Sequence, residues 1–357
     1  MTNKITSQYN DIKEITLKQA EKLAYQIAEK NNFKINKLIY TGKILNKKIG
    51  TLIYSGIYYK NDKPIDAVLK LVFAHQDNPE PELINKFNSS INATHLAGEN
   101  SYHVRAPYIF KYEHLAKNTE HFYYIMEEVK GEQTVELPAF DGKLAKYFVS
   151  FYTMFKNLKI KPFFEKQANE HYSLAFVLSR FYKWLKVAES MQPLTEYEYW
   201  VINEFTKVTG NFLANWPMEF MHRHLRMQDF AKVDNDFVIF SVAFFSYMPK
   251  FYDLVFHIWH ALELTHKLHN YNTLPLTYFT DFVNKWYEFY INKKLLKTRK
   301  EKKAFWALMA ERSAGALIVD LKARKYNMTE EAKKSYPFMQ KLWEYVFNYS
   351  LEQFQDV

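Results

Sequence analysis

Near Gly131 the apolar pattern of this chain changes period once and does not change back. Upstream, "NKLIYTGKIL", "GTLIYSGIYYK" and "PIDAVLKLVF" are extended stretches rich in Ile, Val, Tyr and Leu, parted by short turns such as "KNDK". That pattern predicts an antiparallel meander. "RAPYIFKYEHL" and "EHFYYIMEEVKG" bring the strands to five, with a helical candidate at 80–97 inserted after the third. Downstream, residues 141–158, 171–191, 195–215, 250–266, 275–292, 299–325 and 329–350 carry apolar side chains at helical period. The expected class is therefore α+β, with a small five-stranded antiparallel lobe and a large helical lobe, broken by a loop and hairpin at 220–245. An amphipathic helix at 16–31, with Thr16 as its cap, opens the chain. The predicted organisation is a helical extension at 1–35, a sheet lobe at 36–131 and a helical lobe at 132–357.

Composition narrows the function classes. The 357 residues are 48% hydrophobic and 18% aromatic, with only 8 Gly and 11 Pro, so a packed core is expected and long disordered linkers are not. The absence of cysteine excludes disulfides, thiolate metal sites and a cysteine nucleophile. "MTNKITSQYNDIKE" lacks a signal-peptide core, and no run of 18 apolar residues occurs, so an unexported cytoplasmic protein without a membrane partner is expected. The net charge of +9 is scattered. Its one dense run, "KKLLKTRKEKK" at 293–303, reads as a solvated helix end, and no nucleic-acid motif accompanies it.

Three anchors carry chemistry. "DAVLKLVF" puts Lys70 in the third strand, "YYIMEEVKG" runs out of the last strand, and "FMHRHLRMQDFAKVDNDFVIFSVAFF" precedes "FYDLVF". Together with the element order they resemble the protein-kinase-like fold, in the aminoglycoside phosphotransferase and choline kinase branch, over residues 36–350. That family carries His-Gly-Asp-x-His-x-x-Asn, a metal-binding Asp about a dozen residues on, and then Tyr-Asp-Leu. Anchoring on "HRHLRMQD" and on Tyr252, Asp253 and Leu254 sets the register. His222 then matches the first histidine and Asp253 the helix start, both as structural motif residues. His224 stands at the catalytic aspartate, Asp229 at the metal-binding asparagine and Ser241 at the second metal-binding aspartate. The resemblance implies that Lys70 contacts nucleotide phosphates and that the segment with Met126, Glu127 and Val129 receives the adenine through its backbone.

The replacements weaken that chemistry. Phosphoryl transfer needs a carboxylate base and magnesium held by charged oxygens. A serine hydroxyl is a neutral, poor magnesium ligand, and imidazole does not suit that ion. His224 retains the capacity to accept a proton. The phosphate-covering turn has Gly42, Gly50 and Gly56 but bulky Ile44 and Leu45, and the helix after the third strand offers Glu80 and Glu82 only at its start. A second register would use Asp229 as base and Asp234 as ligand, although "VDNDF" has the composition of a tight turn. His257, His260, His266 and His269 read as helix boundary residues, Glu311 and Arg312 as part of a closely packed helix, and "KWYEFY" at 285–290 as a core stripe.

The resemblance with these substitutions implies a pseudokinase-like protein that binds a small molecule, peptide or partner protein in the interlobe cleft, with ATP and Mg2+ bound weakly or not at all. The competing implication is a divergent ATP-dependent phosphotransferase for a hydroxylated small molecule, with His224 or Asp229 as base.

Overall fold

The structure, a computed structural model, describes residues 15–43, 49–73, 81–94, 103–115, 121–133, 138–156, 173–191, 193–240, 246–268, 270–322 and 330–357. The chain divides into two compact units, the first Met1–Gln133 with Thr153–Phe163 and Phe230–Ala243, the second Thr134–Tyr152, Phe164–Asp229 and Phe244–Val357.

The first unit opens with α1 (Leu17–Lys30). Thr16 accepts the Gln19 amide while the Gln19 side chain accepts the Thr16 amide, a reciprocal cap. Its apolar stripe of Ala20, Leu23, Ala24, Ile27 and Ala28 is buried in one cluster with Leu52, Leu69 and Leu71 of the sheet. Each such large apolar side chain removed from water contributes roughly 2 kcal/mol.

That sheet is antiparallel with order β1-β2-β3-β6-β5, formed by β1 (Phe33–Lys43), β2 (Ile49–Lys60), β3 (Lys63–Val72), β6 (Phe122–Glu127) and β5 (Ile109–His114). Asn61 and Asp62 join β2 to β3 at φ 51° and 61°, the left-handed pair that matches hairpin twist. Because side chains alternate along β3, Ala67, Leu69 and Leu71 face the α1 cluster, and Val68, Lys70 and Val72 face the other way. On that second face Val72, Phe122 and Tyr124 pack with Ile84 from α2 (Pro81–Thr94).

A further sheet, absent from the sequence reading as a unit, has order β4-β10-β9-β7. It comprises β4 (His103–Arg105), β7 (Glu132–Gln133), β9 (Phe230–Val233) and β10 (Asp236–Ile239), with β4 parallel to β10. Strands of two to four residues are too short to express a period, and this pairing joins segments over a hundred residues apart in sequence.

The second unit is helical: most of α3 (Gly142–Lys156), α4 (Ser173–Met191), α5 (Glu196–Leu213), α6 (Tyr252–Glu263), α7 (Leu276–Asn292), α8 (Arg299–Gly315) and α9 (Glu330–Asp356). A ribbon of β8 (Met218–Met221) and β11 (Ser246–Pro249) lies among them. Trp306, Trp343, Tyr290, Tyr252 and Phe148 are its largest fully buried side chains, so the aromatic excess of the sequence goes into this core.

Candidate functional site

Leaving β8, the chain enters a compact turn held from below. The buried Asp253 carboxylate, in the first turn of α6, accepts the backbone amide of His222 at 3.0 Å. Burial pushes that carboxyl up to about 7, with the amides of His222, Arg223 and Leu225 pulling the other way. Arg223 has φ 70° and falls on the glycine of the family pattern in the register above. A left-handed conformation at that position is what a glycine there would serve.

His224 lies against the Phe256 ring, centroids 4.6 Å apart. Burial first, then the positive charge of Arg226, pushes its imidazole down to about 3, so the ring is neutral at physiological pH. A neutral imidazole brings none of the negative charge that a carboxylate in that place would supply.

Asp229 closes the short 3-10 turn Met227–Asp229 and is 3% exposed. Its Oδ2 accepts the Arg226 amide at 2.8 Å and Nε at 3.0 Å, and its Oδ1 accepts Arg226 Nη2 at 2.7 Å. Burial alone would raise this carboxyl, but the Arg226 hydrogen bonds and charge outweigh it and hold the group below its ordinary value. Both oxygens are thus committed to a guanidinium three residues away. Arg226, on the second histidine of the family pattern, was passed over in the sequence; its spacing of three from Asp229 was the available signal.

In the first unit, Lys70 sits between Leu69 and Leu71 on β3, opposite Tyr124 of β6. Its side chain keeps some accessible surface, yet it is enclosed enough that burial lowers its amine. Among the described residues no carboxylate pairs with it. Glu82 of α2 instead approaches His114 at 3.7 Å, and Glu80 lies outside the described residues.

Met126 lies opposite Val68 and Ile109 at the end of β6. Glu127 receives Arg105 Nη1 and Nη2 at 2.8 Å each, and the Tyr108 amide at 3.2 Å. Arg105 also donates to Asp236 on β10 at 2.9 Å, tying β6, β4 and β10 together. Val129 is half-buried, and at Gly131 a Cβ would meet the Lys232 carbonyl at 2.6 Å, so this segment lies hard against β9. Neither Arg105 nor Asp236 was a sequence candidate; nothing local links residues so far apart.

Ser241 and His269 lie outside the described residues. Asp234 sits in the β9–β10 turn at φ 50°, a geometry that Asp and Asn adopt readily. His257 is buried against Phe148 and Trp286, with centroids at 4.0 and 4.3 Å, and bonds the Tyr290 hydroxyl. His266 Nδ1 donates to the Glu263 carbonyl at 2.9 Å. Among the described residues no three His, Asp or Glu side chains converge to hold a metal ion. With Asp229 bound to Arg226, the described residues do not fit the magnesium that the resemblance implies.

No protein-family model matches this sequence, and no curated protein matches it. Solved structures do. An ethanolamine kinase from Plasmodium vivax is 10% identical, with TM-score 0.58 over 99% of this chain and 95% of that one. A choline kinase from Cryptosporidium parvum Iowa II is 12% identical, with TM-score 0.56 over 94% and 99%. A thermostable mutant of an aminoglycoside phosphotransferase, in ternary complex with ADP and hygromycin B, is 8% identical, with TM-score 0.53 over 90% and 98%. At such identities the likeness speaks for architecture, and the chain has the protein-kinase-like fold of the aminoglycoside phosphotransferase and choline kinase group.

Proposed function

We propose that this protein is pseudokinase-like: it binds a small molecule, peptide or partner protein and performs weak or no phosphotransfer. The capture of Asp229 by Arg226 carries the reading. A guanidinium supplies the positive charge that a dication would otherwise bring to that carboxylate, and His224 beside it is neutral and reluctant to take a proton. No described helix is long and apolar enough to cross a membrane. That fact and the lack of cysteine support a cytoplasmic location.

The test is thermal shift and phosphate release with ATP, with and without magnesium or manganese. No metal-dependent phosphate release is expected. Metal-dependent turnover that disappears in Lys70→Ala would overturn the reading.

One observation favours the second reading, a divergent phosphotransferase for a hydroxylated small molecule. Lys70 is enclosed with no acidic partner among the described residues, and a phosphate beside it would restore its charged form. On that reading ATP alone raises Tm in the parent chain and not in Lys70→Ala.

A further inference from the structure

Strand β1 is the outermost strand of the five-stranded sheet, and among the described residues it pairs with β2 alone. Its other edge therefore presents backbone donors and acceptors with no neighbouring strand. Such edges are commonly blunted by lysine and by bulges, and β1 has both. Lys34 and Lys37 are exposed, and Asn36 and Ile39 have no partner on β2. The guard is incomplete, however. Leu38, Ile39 and Tyr40 follow one another with 40%, 47% and 56% of their surface exposed. Single exposed apolar residues are ordinary, but three in succession on an unpaired strand form a surface that an incoming strand would cover.

Beside the start of this edge, between α1 and β1, lies a cavity of about 520 Å³. Tyr25 and Ala28 of α1 and Phe33 and Ile35 of β1 supply its apolar lining, and Lys22 and Glu29 its charged groups. Its volume is in the range of sites that receive a ligand or a side chain. Charge decides which chemistry fits. From Phe33 to Lys43 the strand holds no carboxylate, and Lys22, Lys34 and Lys37 have no ion pair among the described residues. A second copy of the chain laid edge to edge would add its own lysines to the same edge, which like-charge repulsion disfavours. A segment that alternates carboxylates with apolar side chains would instead neutralise those lysines while covering Leu38, Ile39 and Tyr40.

We propose that the outer edge of β1 docks an extended acidic segment of a partner protein. The segment adds to the sheet as a sixth strand, sets carboxylates against Lys22, Lys34 and Lys37, and seats an apolar side chain in the cavity at Phe33 and Ile35. The site uses residues of the first unit alone. It goes beyond the pseudokinase reading and does not depend on it.

The probe is a fluorescein-labelled synthetic peptide of alternating glutamate and valine with one central phenylalanine. It is mixed with increasing amounts of the full chain at low salt, without nucleotide or metal, and followed by anisotropy. Saturable binding that weakens with added salt is expected, together with slower amide hydrogen exchange along residues 34–42. Lys34→Glu combined with Lys37→Glu is expected to weaken binding roughly tenfold or more. Ile39→Asn serves if that variant does not fold, and is expected to bind several-fold more weakly. The same peptide N-methylated along its whole length cannot complete a strand ladder and is expected not to bind. No saturable binding, equal binding of a peptide with lysine in place of glutamate, undiminished binding of the N-methylated peptide or by a folded variant, or slower exchange elsewhere but not along β1 would overturn the proposal. A dimer of the free chain in light scattering that Ile39→Asn abolishes would overturn it too, by assigning the edge to a second copy. Since no ATP is present, failure here is distinguishable from failure of the pseudokinase reading, which the metal-ATP experiment decides.

Discussion

His224 and Asp229 of one turn, and Asp253 of the α6 helix that holds it, are three titratable groups that burial treats differently. Asp229 stays charged because Arg226 neutralises it. Arg226→Met is expected to cost about 2 kcal/mol in chemical denaturation, less than a fully buried pair because Arg226 keeps 28% of its side chain exposed. With its folded carboxyl below the unfolded value, this pair stabilises above the ordinary carboxylate range, near pH 4, and the contribution fades as pH falls further. The penalty of the variant should shrink accordingly in acid. Asp253 has the opposite sign. Its folded carboxyl is pushed up to about 7, so its contribution is full below about pH 4 and is lost as pH rises through about 7. Asp253→Asn should therefore compare more favourably with the parent at pH 8 than at pH 5 in urea melts. His224, pushed down to about 3, stabilises above its unfolded value of about 6.5 and loses that contribution as pH falls. His224→Asn should flatten the parent's loss of stability between pH 6.5 and 4.

Among the elements, strand pairing sets the tightest tolerances. Gly56 on β2 faces the irregular stretch of β1 between Ile35 and Lys37, and a Cβ there would meet the Lys34 carbonyl at 2.2 Å and the Phe33 ring at 2.6 Å. Gly56→Ala is expected to destabilise by about 1–3 kcal/mol, read by thermal melting, because the obstacle is backbone as well as ring. Arg105 gives the other element-level test. It joins Glu127 of β6 to Asp236 of β10, and Arg105→Met leaves both carboxylates without it. Hydrogen exchange should quicken along the β4–β10 pairing, which is only three residues long, while β2–β3 stays protected. An unchanged β4–β10 exchange rate would mean the strands hold by backbone pairing alone.

At the scale of the molecule, all 7 tryptophans lie in the second unit. Native tryptophan emission therefore reports the helical unit, and Gly56→Ala is expected to leave its maximum unchanged even as the sheet loosens. The sequence was legible where a physical periodicity is written locally. The single change of period foretold α+β with a five-stranded antiparallel sheet, and the Thr16 cap foretold α1. What local pattern cannot encode is which distant side chain meets a buried group. A helix period says that Arg312 lies on α8, not that three aromatic rings from two other helices surround it. A strand period puts Lys70 on β3, not that no carboxylate among the described residues pairs with it. The 131-residue separation of Arg105 from Asp236 leaves no trace in either segment alone. Sequence by itself thus determined the antiparallel five-stranded sheet and the succession of helices after it. Only tertiary structure decided how the remaining charges are matched, because charge compensation depends on distances between chain segments that packing, rather than adjacency, brings together.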